Sequence, residues 1–244
     1  MSINSSVDTG LPEAEHKSSM NRMYRVQRHF YDVTRAYYLL GRDRLIDELQ
    51  PPAGSKVLEI GCGTGRNIIK AARKYLDVTF HGIDISDEML KSATWAVGRN
   101  DLMHRVKLAQ ADAVTFNSQH VFGQTGYDRI YFSYTLSMIP DWQGALRNAL
   151  NQLSPQGELH IVDFGQCEKL PNVWRSVLQR WLAQFHVYPR DTLPGVLAAD
   201  VSASAKEITF NPLHRGYTWH MMARPTASLS STRRAFLINV KALP

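Results

Sequence analysis

The sequence predicts an α/β fold in which a mostly parallel sheet of seven strands carries helices on both faces. Three observations predict it. Strand-like and helix-like runs alternate from residue 56 to about 186, a glycine-rich turn joins the first strand to the first helix, and two β-like runs close the pattern. Alternation of strands and helices indicates parallel pairing. We therefore expect one open sheet whose ligand sits at the carboxyl ends of its strands.

The first strand runs directly into the glycine turn. Residues 57–65 read Val-Leu-Glu-Ile-Gly-Cys-Gly-Thr-Gly, and an amphipathic run, Arg66 to Tyr75, follows at once. Strand, turn and helix in this order bring backbone N–H groups close to a bound nucleoside. Glycine suits the turn because the turn needs unusual φ/ψ angles and because a Cβ would block the ligand.

The spacing of the three glycines discriminates between cofactors. A dinucleotide fingerprint, G-x-G-x-x-G, needs its third glycine where this chain has Arg66, and a phosphate-binding P-loop needs a Gly-Lys-Ser/Thr ending that is absent. The segment instead resembles motif I, E/D-x-G-x-G-x-G, of the class I S-adenosylmethionine (SAM) methyltransferases, with Glu59 as the acid. A turn that merely links a strand to a helix is the alternative.

The next two strands end in further acids. Residues 78–84 form a strand ending in Asp84, 19 positions after Gly65, where a carboxylate can accept both ribose hydroxyls. Ser86 can cap the helix that follows, and Asp84 could instead belong to that cap. After a strand over 105–109, the resemblance implies that Asp112 holds the adenine amino group, although a plain loop aspartate is the alternative.

The remaining elements complete the predicted fold. We expect strands over 127–133 and 157–163, a helix over 139–153, and a closing antiparallel pair over 207–211 and 216–222. The resemblance implies a Rossmann-like class I methyltransferase fold with an N-terminal helical lid. It also implies a SAM site and no metal, with these cofactor-binding residues: Tyr31, Arg42, Glu59, Gly61, Cys62, Gly63, Thr64, Gly65, Asn67, Asp84, Ile85, Met89, Asp112, Ala113 and Ser133.

Length and composition predict one domain. The chain has 244 residues, 44% of them apolar, which is enough for one full core. We predict a disordered tail over 1–19, a methyltransferase domain over 20–225 and a second tail over 226–244. Within the domain, 20–50 form the lid, 55–165 the cofactor-binding core, and 166–225 the substrate side with the closing strands.

Charge and cysteine content bear on partners and location. The net charge of +6 favours an anionic partner, although a merely basic surface is equally compatible. The polar N-terminus does not have the pattern of a signal peptide, and two cysteines do not suggest a disulfide framework, so we predict a cytoplasmic protein. An Asn-Pro-Pro-Tyr-like motif is missing after the fourth strand, and we expect no nucleic acid partner. The oligomeric state is not predicted.

The N-terminal segment narrows the resemblance. Residues 24–45 combine a helical apolar period with many tyrosines and arginines, and Gly-Tyr-Thr-Trp-His follows at 216–220. With motif I, these stretches resemble the betaine-lipid methyltransferases over about residues 20–225. That resemblance implies up to three methyl transfers to the amine of diacylglyceryl-homoserine, giving diacylglyceryl-trimethylhomoserine. The rivals are an enzyme for a soluble small molecule or quinone, and a SAM-binding module without catalysis.

Four residues are candidates for contact with the reacting amine. Aromatic faces suit a methylated ammonium, which makes Tyr31, Tyr134 and Trp219 candidates beside His160. Each aromatic could equally be a packing residue, and His160, in the middle of a strand, could be a core histidine. Arg35 or Arg42 could bind a carboxylate of the substrate or of SAM, or lie on the surface.

A lipid substrate requires contact with a membrane. The run 173–187 places Trp174, Val177, Leu178, Trp181, Leu182 and Phe185 on one helix face, with Arg175 and Arg180 beside it. Such a helix can lie in the headgroup zone of a bilayer, although such a stripe more often faces a core. We predict peripheral attachment to an anionic membrane surface, at its cytoplasmic face.

Overall fold

The chain folds around a single sheet. The structure is a computed structural model that describes residues 39–185, 187–202 and 206–226. Both predicted tails and most of the predicted lid, including Tyr31, lie outside the described residues, apart from residue 226. The helices and strands follow in the order α1 (Arg42–Leu49), β1 (Lys56–Ile60), α2 (Arg66–Lys74), β2 (Thr79–Asp84), α3 (Asp87–Arg99), β3 (Val106–Gln110), α4 (Ser118–Phe122), β4 (Tyr127–Ser133), α5 (Trp142–Asn151), β5 (Leu153–Phe164), α6 (Asn172–Ala183), α7 (Leu193–Val201), β6 (Lys206–Leu213) and β7 (Thr218–Pro225).

The sheet has seven strands in the order β3-β2-β1-β4-β5-β7-β6. Strands β1 to β5 pair in parallel, whereas β7 pairs antiparallel with both β5 and β6. The strand order reverses beside β1, so the carboxyl ends of β1 and β4 flank the crevice where open α/β sheets bind ligands. The predicted fold class, including the closing antiparallel pair, is confirmed.

Helices cover both faces of the sheet. Along β1 the buried side chains alternate: Val57 packs in one hydrophobic cluster, while Leu58 and Ile60 pack in the other. Because successive side chains of a strand point to opposite faces, the two clusters are the two sides of the sheet. Residues of α1 and α2 complete the first cluster, and residues of α5 and α7 complete the second.

Several elements differ from their predicted bounds, and the closing pair, for example, runs over Lys206–Leu213 and Thr218–Pro225. The fifth strand begins at Leu153, earlier than predicted. The helix predicted over 139–153 begins only at Trp142, because Asp141 caps it by accepting a hydrogen bond from Gly144 N at 2.9 Å. Helices α4 and α7 were not predicted. None of the helices in the described ranges is long and apolar enough to cross a bilayer.

Candidate active site

The glycine turn after β1 is held in left-handed backbone conformations. Gly61, Gly63 and Gly65 have φ angles of 74°, 53° and 82°, a region that side-chain-bearing residues rarely adopt. The amides of Gly61 and Cys62 both donate to the carbonyl of Ile83, at 2.8 and 2.9 Å. These two hydrogen bonds tie the turn to the end of β2 and bring the ends of β1 and β2 together.

The surroundings of the three glycines show where a ligand fits. A Cβ added to Gly61 would lie 2.3 Å from Thr135 Cγ2, and one added to Gly65 would lie 3.2 Å from Ala93 Cβ. A Cβ at Gly63 would meet no atom of the described residues within 4 Å. The turn is therefore closed by packing at its two ends and open at its centre. That open backbone is the surface a nucleoside would need.

Asp84 borders the open side of the turn. Its Oδ2 accepts a hydrogen bond from Gly63 N at 2.8 Å, and its Oδ1 accepts one from Ser86 N at 2.9 Å. Ser86 is the N-cap of α3 as predicted, with its side chain accepting from Met89 N. Asp84 thus supports both the turn and the helix start. A carboxylate has further acceptor capacity, so these bonds leave the predicted ribose contact possible.

Glu59 lies under the turn rather than on its open side. Its carboxylate is buried, with Oε1 accepting from Asn67 Nδ2 at 3.1 Å and Oε2 accepting from Tyr131 Oη at 3.0 Å. Burial raises the pKa of Glu59 to about 8, against the opposing effect of these two hydrogen bonds. Glu59 and Asn67 therefore position the turn. In this geometry they would act on the cofactor through the turn and not through the direct contact that the sequence predicted.

The ends of β3 and β4 complete the crevice. Asp112 is half-buried and lies beside Asp84, because the amide of Ala111 donates to the carbonyl of Asp84 at 3.1 Å; Asp112 Oδ1 accepts from Val114 N at 2.7 Å. Ser133 Oγ is buried without a hydrogen-bond partner among the described residues. The other predicted cofactor residues of this edge are the half-buried Thr64, Ile85 and Ala113 and the buried Cys62 and Met89.

Together these residues fit the predicted cofactor. The turn offers an open backbone at Gly63, Asp84 and Asp112 offer acceptors for hydroxyl and amino groups, and Ser133 offers a hydroxyl that has no partner in the described part of the chain. Arg42 belongs to α1 and is buried, with Nε donating to Leu39 O at 3.0 Å. Nothing tests its predicted contact with the SAM carboxylate, which stays a prediction.

Two of the predicted catalytic aromatics are buried packing residues in this structure. Tyr134 is enclosed, with Oη 2.6 Å from Leu40 O and 2.8 Å from Thr218 Oγ1. Trp219 is buried against Phe210, and its Nε1 donates to Glu168 Oε1 at 2.8 Å. Their polar atoms are already paired, which favours the packing alternative that the sequence left open. Tyr31, the third aromatic, lies outside the described residues.

His160 lies in the middle of the sheet, away from the crevice. It pairs in register with Tyr131 and Met222 and is fully buried. Its Nε2 lies 3.3 Å from Glu158 Oε2, and burial lowers its pKa. The structure thus favours a core histidine over a catalytic one.

A neighbouring buried histidine makes stability depend on pH. Burial lowers the pKa of His220 to about 4 from an ordinary 6.5. As the pH falls, the unfolded chain therefore binds a proton at His220 before the folded protein does. The contribution of the neutral His220 side chain to stability is complete above about pH 6.5 and is lost as the pH falls toward 4. Glutamine has no such proton to bind. Between these pH values we therefore expect the unfolding free energy of His220→Gln to fall by up to about 3 kcal/mol less than that of wild type, as measured by urea unfolding.

The exposed His120 gives the control for this prediction. The His120→Gln variant should keep the wild-type dependence of unfolding free energy on pH. If His220→Gln also keeps it, the acid sensitivity does not come from His220.

Two positions at the carboxyl edge were missed by the sequence analysis. Thr135 fills the space against Gly61, and Glu168 follows β5 and binds the indole of Trp219. Glu168 is exposed, and an added Cβ at Gly216 would lie 1.7 Å from its Oε2. Neither residue belongs to a motif. A glycine that is needed for close approach does not reveal which side chain approaches it.

The fold and the crevice agree with the comparisons to known proteins. The methyltransferase domain family matches residues 52–203, which is more than half of the chain. The chain therefore belongs to this family. The predicted methyltransferase domain, with SAM as its cofactor, is confirmed.

Individual relatives have varied names. Methyltransferase GfsG from Streptomyces halstedii is 30% identical over 137 residues, 56% of this chain and 48% of that protein. The ubiquinone/menaquinone biosynthesis C-methyltransferase UbiE from Bartonella quintana is 28% identical over 193 residues, 75% of this chain and 70% of that protein. This chain spans about half the length of the first curated relatives it matches, 48% and 43% for two of them.

One solved structure shows the shared fold. Phosphoethanolamine N-methyltransferase 2 from Haemonchus contortus, in complex with SAM, superposes with a TM-score of 0.61 at 15% identity, over 75% of this chain and 52% of that chain. At this identity the likeness concerns the fold alone. The betaine-lipid assignment is finer than these matches and stays a prediction.

Proposed function

We propose that this chain is an N-methyltransferase that methylates the amine of diacylglyceryl-homoserine, in up to three transfers, to give diacylglyceryl-trimethylhomoserine. The observation that carries the proposal is the location of residues 216–220, one of the two stretches that resemble the betaine-lipid enzymes. Residues 218–220 begin β7 beside the carboxyl end of β5, where Thr218 pairs with Phe164. In an open α/β sheet this is the ligand-binding edge.

The chemistry makes modest demands on the protein. SAM, when bound, supplies an electrophilic methyl group that passes to the nucleophile by in-line displacement. An amine that arrives neutral is itself nucleophilic, so the protein mainly has to align it. In this proposal Gly63 and Asp84 hold the nucleoside, and the carboxyl ends of β4 and β5 orient the amine.

Glu168 is the residue that we assign to the growing ammonium. Its carboxylate lies at the carboxyl edge, held by Trp219 Nε1 at 2.8 Å and close to Gly216. Each transfer makes the amine more substituted, and the last product is a permanent cation. A fixed carboxylate attracts that cation at every stage, whereas a base that needs a proton from the amine would lose its partner at the last step.

The Glu168→Gln variant tests this role. Glutamine keeps an acceptor for the Trp219 indole but removes the charge, so we expect each transfer to slow about two- to fivefold, the effect of a partly exposed ion pair. The trimethylated lipid should form correspondingly later in a time course followed by mass spectrometry. The matched control is Glu207→Gln, on β6, which should keep the wild-type time course. If Glu168→Gln slows none of the transfers, or if Glu207→Gln slows them as much, Glu168 does not hold the ammonium.

The substrate itself is tested with the purified chain and isotope-labelled SAM. Detergent-dispersed diacylglyceryl-homoserine, phosphoethanolamine and a demethylated menaquinone are offered separately, with Asp84→Ala as the control for cofactor binding. We expect label in the homoserine lipid. Label only in another acceptor, or SAM binding without transfer to any of the three, overturns the proposal.

A quinone is the second candidate substrate. It is favoured by the match to the UbiE protein, which extends over 75% of this chain and 70% of that protein. Methylation of a quinone ring gives no cationic product, so Glu168→Gln would then leave turnover unchanged. The acceptor comparison separates the two candidates directly.

A further inference from the structure

We infer that helix α6 and the segment after it form a docking face for an anionic lipid bilayer. The docking face rests on the proposed function for its purpose, since a lipid substrate has to be reached in a membrane. The test of the docking face does not depend on that function.

The apolar part of this face is exposed. Val173, Val177 and Trp181 recur every four residues along α6, and 74%, 56% and 36% of their surfaces are exposed. Tyr188, just beyond the helix, is 51% exposed. On the other side of α6 Leu182 is buried in the core. The helix thus packs through one face and presents a second apolar face outward, which differs from the single core-facing stripe that the sequence allowed.

The charged residues of the segment that carries this face all have one sign. Residues 169–190 contain Lys169, Arg175, Arg180 and Arg190 and neither Asp nor Glu, with Glu168 and Asp191 flanking the run. Arg180 is exposed and lies on the same helix face as Val173 and Val177, since these positions are seven and three residues apart. An apolar face with tryptophan and arginine is the pattern of helices that lie in the headgroup zone, and cations there attract anionic lipid.

The face also lies next to the crevice. The amide of Tyr188 donates to Ser137 O at 2.9 Å, and Arg190 Nη2 donates to Ile139 O at 2.7 Å. Residues 137–139 belong to the loop that follows Ser133 at the end of β4. A bilayer in contact with α6 would therefore lie at the substrate side of the sheet.

Vesicle binding tests the docking face with the full chain. The probes are vesicles of phosphatidylglycerol and phosphatidylcholine, compared with phosphatidylcholine alone, and neither contains an amine substrate of the proposed class. Wild type should cosediment with the anionic vesicles and dissociate as salt rises. Arg180→Glu should weaken this binding roughly 25-fold, about fivefold for each unit of charge. Val173→Ser combined with Val177→Ser should weaken it about tenfold.

The control is Trp95→Ser, which removes an apolar residue that is 64% exposed outside this face and should leave vesicle binding unchanged. The proposal fails if wild type binds both vesicle types equally or neither at low salt, or if the double valine variant binds like wild type. It also fails if that variant changes the sedimentation coefficient of the vesicle-free protein, because a second copy of the chain would then cover the face. Methylation of detergent-dispersed lipid is measured in parallel. If the wild-type protein binds the anionic vesicles but does not methylate the dispersed lipid, only the proposed function is refuted.

Discussion

Replacing Gly63 by valine is expected to abolish measurable SAM binding, and replacing Asp84 by alanine is expected to weaken it strongly. At Gly63 the backbone has a φ of 53°, and within the described ranges no protein atom would lie within 4 Å of an added Cβ, so a valine side chain would occupy the ligand's space. At Asp84 alanine removes a charged acceptor worth about 1.5–3 kcal/mol, roughly 10- to 100-fold in affinity. It also frees the Gly63 and Ser86 amides that the carboxylate holds. Calorimetric titration with SAM measures both effects.

Gly54 provides a matched control for backbone strain. It has a φ of 76°, and an added Cβ would likewise meet no atom in the part of the chain that the structure describes, but Gly54 precedes β1 at the opposite end of the strand. Gly54→Val should therefore suffer the same cost of a left-handed β-branched residue, yet bind SAM normally. If Gly63→Val also binds normally, the turn is not the cofactor site. Wild-type affinity in Asp84→Ala would refute the ribose contact.

The second large effect concerns the support under the turn. Glu59→Ala leaves Asn67 Nδ2 and Tyr131 Oη without their buried acceptor and opens a cavity, which should cost about 2–4 kcal/mol of unfolding free energy. Glu59→Gln keeps one acceptor and the volume. Because the pKa of Glu59 is about 8, the native side chain is protonated at neutral pH, so the glutamine variant should lose about 1 kcal/mol or less there. Urea unfolding measures both changes.

The pH dependence of the stability difference between wild type and Glu59→Gln provides an internal check. The folded-state pKa of Glu59 is raised from 4.5 to about 8, so its contribution is complete below about pH 4.5 and is lost as the pH rises through 8. Glu59→Gln has no proton to lose. Wild type should therefore lose stability relative to this variant as the pH rises toward 8. A difference that stays constant with pH, or a glutamine variant as unstable as Glu59→Ala, would contradict the buried, protonated carboxyl.

The cofactor half of the site could be predicted because it is built from local sequence. Three closely spaced glycines, the acid at the end of β2 and the cap at Ser86 each depend on neighbours within a few residues. The strand pattern was predictable for the same reason, since alternating apolar runs encode a parallel sheet directly. Element ends were less accurate, as for α5, whose start depends on a cap at Asp141.

The substrate half depends on packing between distant elements, which a single sequence does not display. Tyr134 and Trp219 have the residue types of a cation site, yet Thr218 and Glu168 pair with their polar atoms and enclose them. His160 shows the same limit, because a strand residue faces either a ligand or the core according to what covers it. Only the structure showed that α6 leaves Val173 and Val177 outside the core.

A crystal structure with S-adenosylhomocysteine bound would test the central claim most directly, because that claim concerns one place: the crevice between the glycine turn and the end of β2. We predict that the ribose hydroxyls lie within about 3 Å of the Asp84 carboxylate. The backbone of Gly63 should contact the nucleoside, and the adenine should lie beside Asp112. A nucleoside bound elsewhere on the chain, or one in this crevice without contact to Asp84 and Gly63, would contradict the assignment of the site.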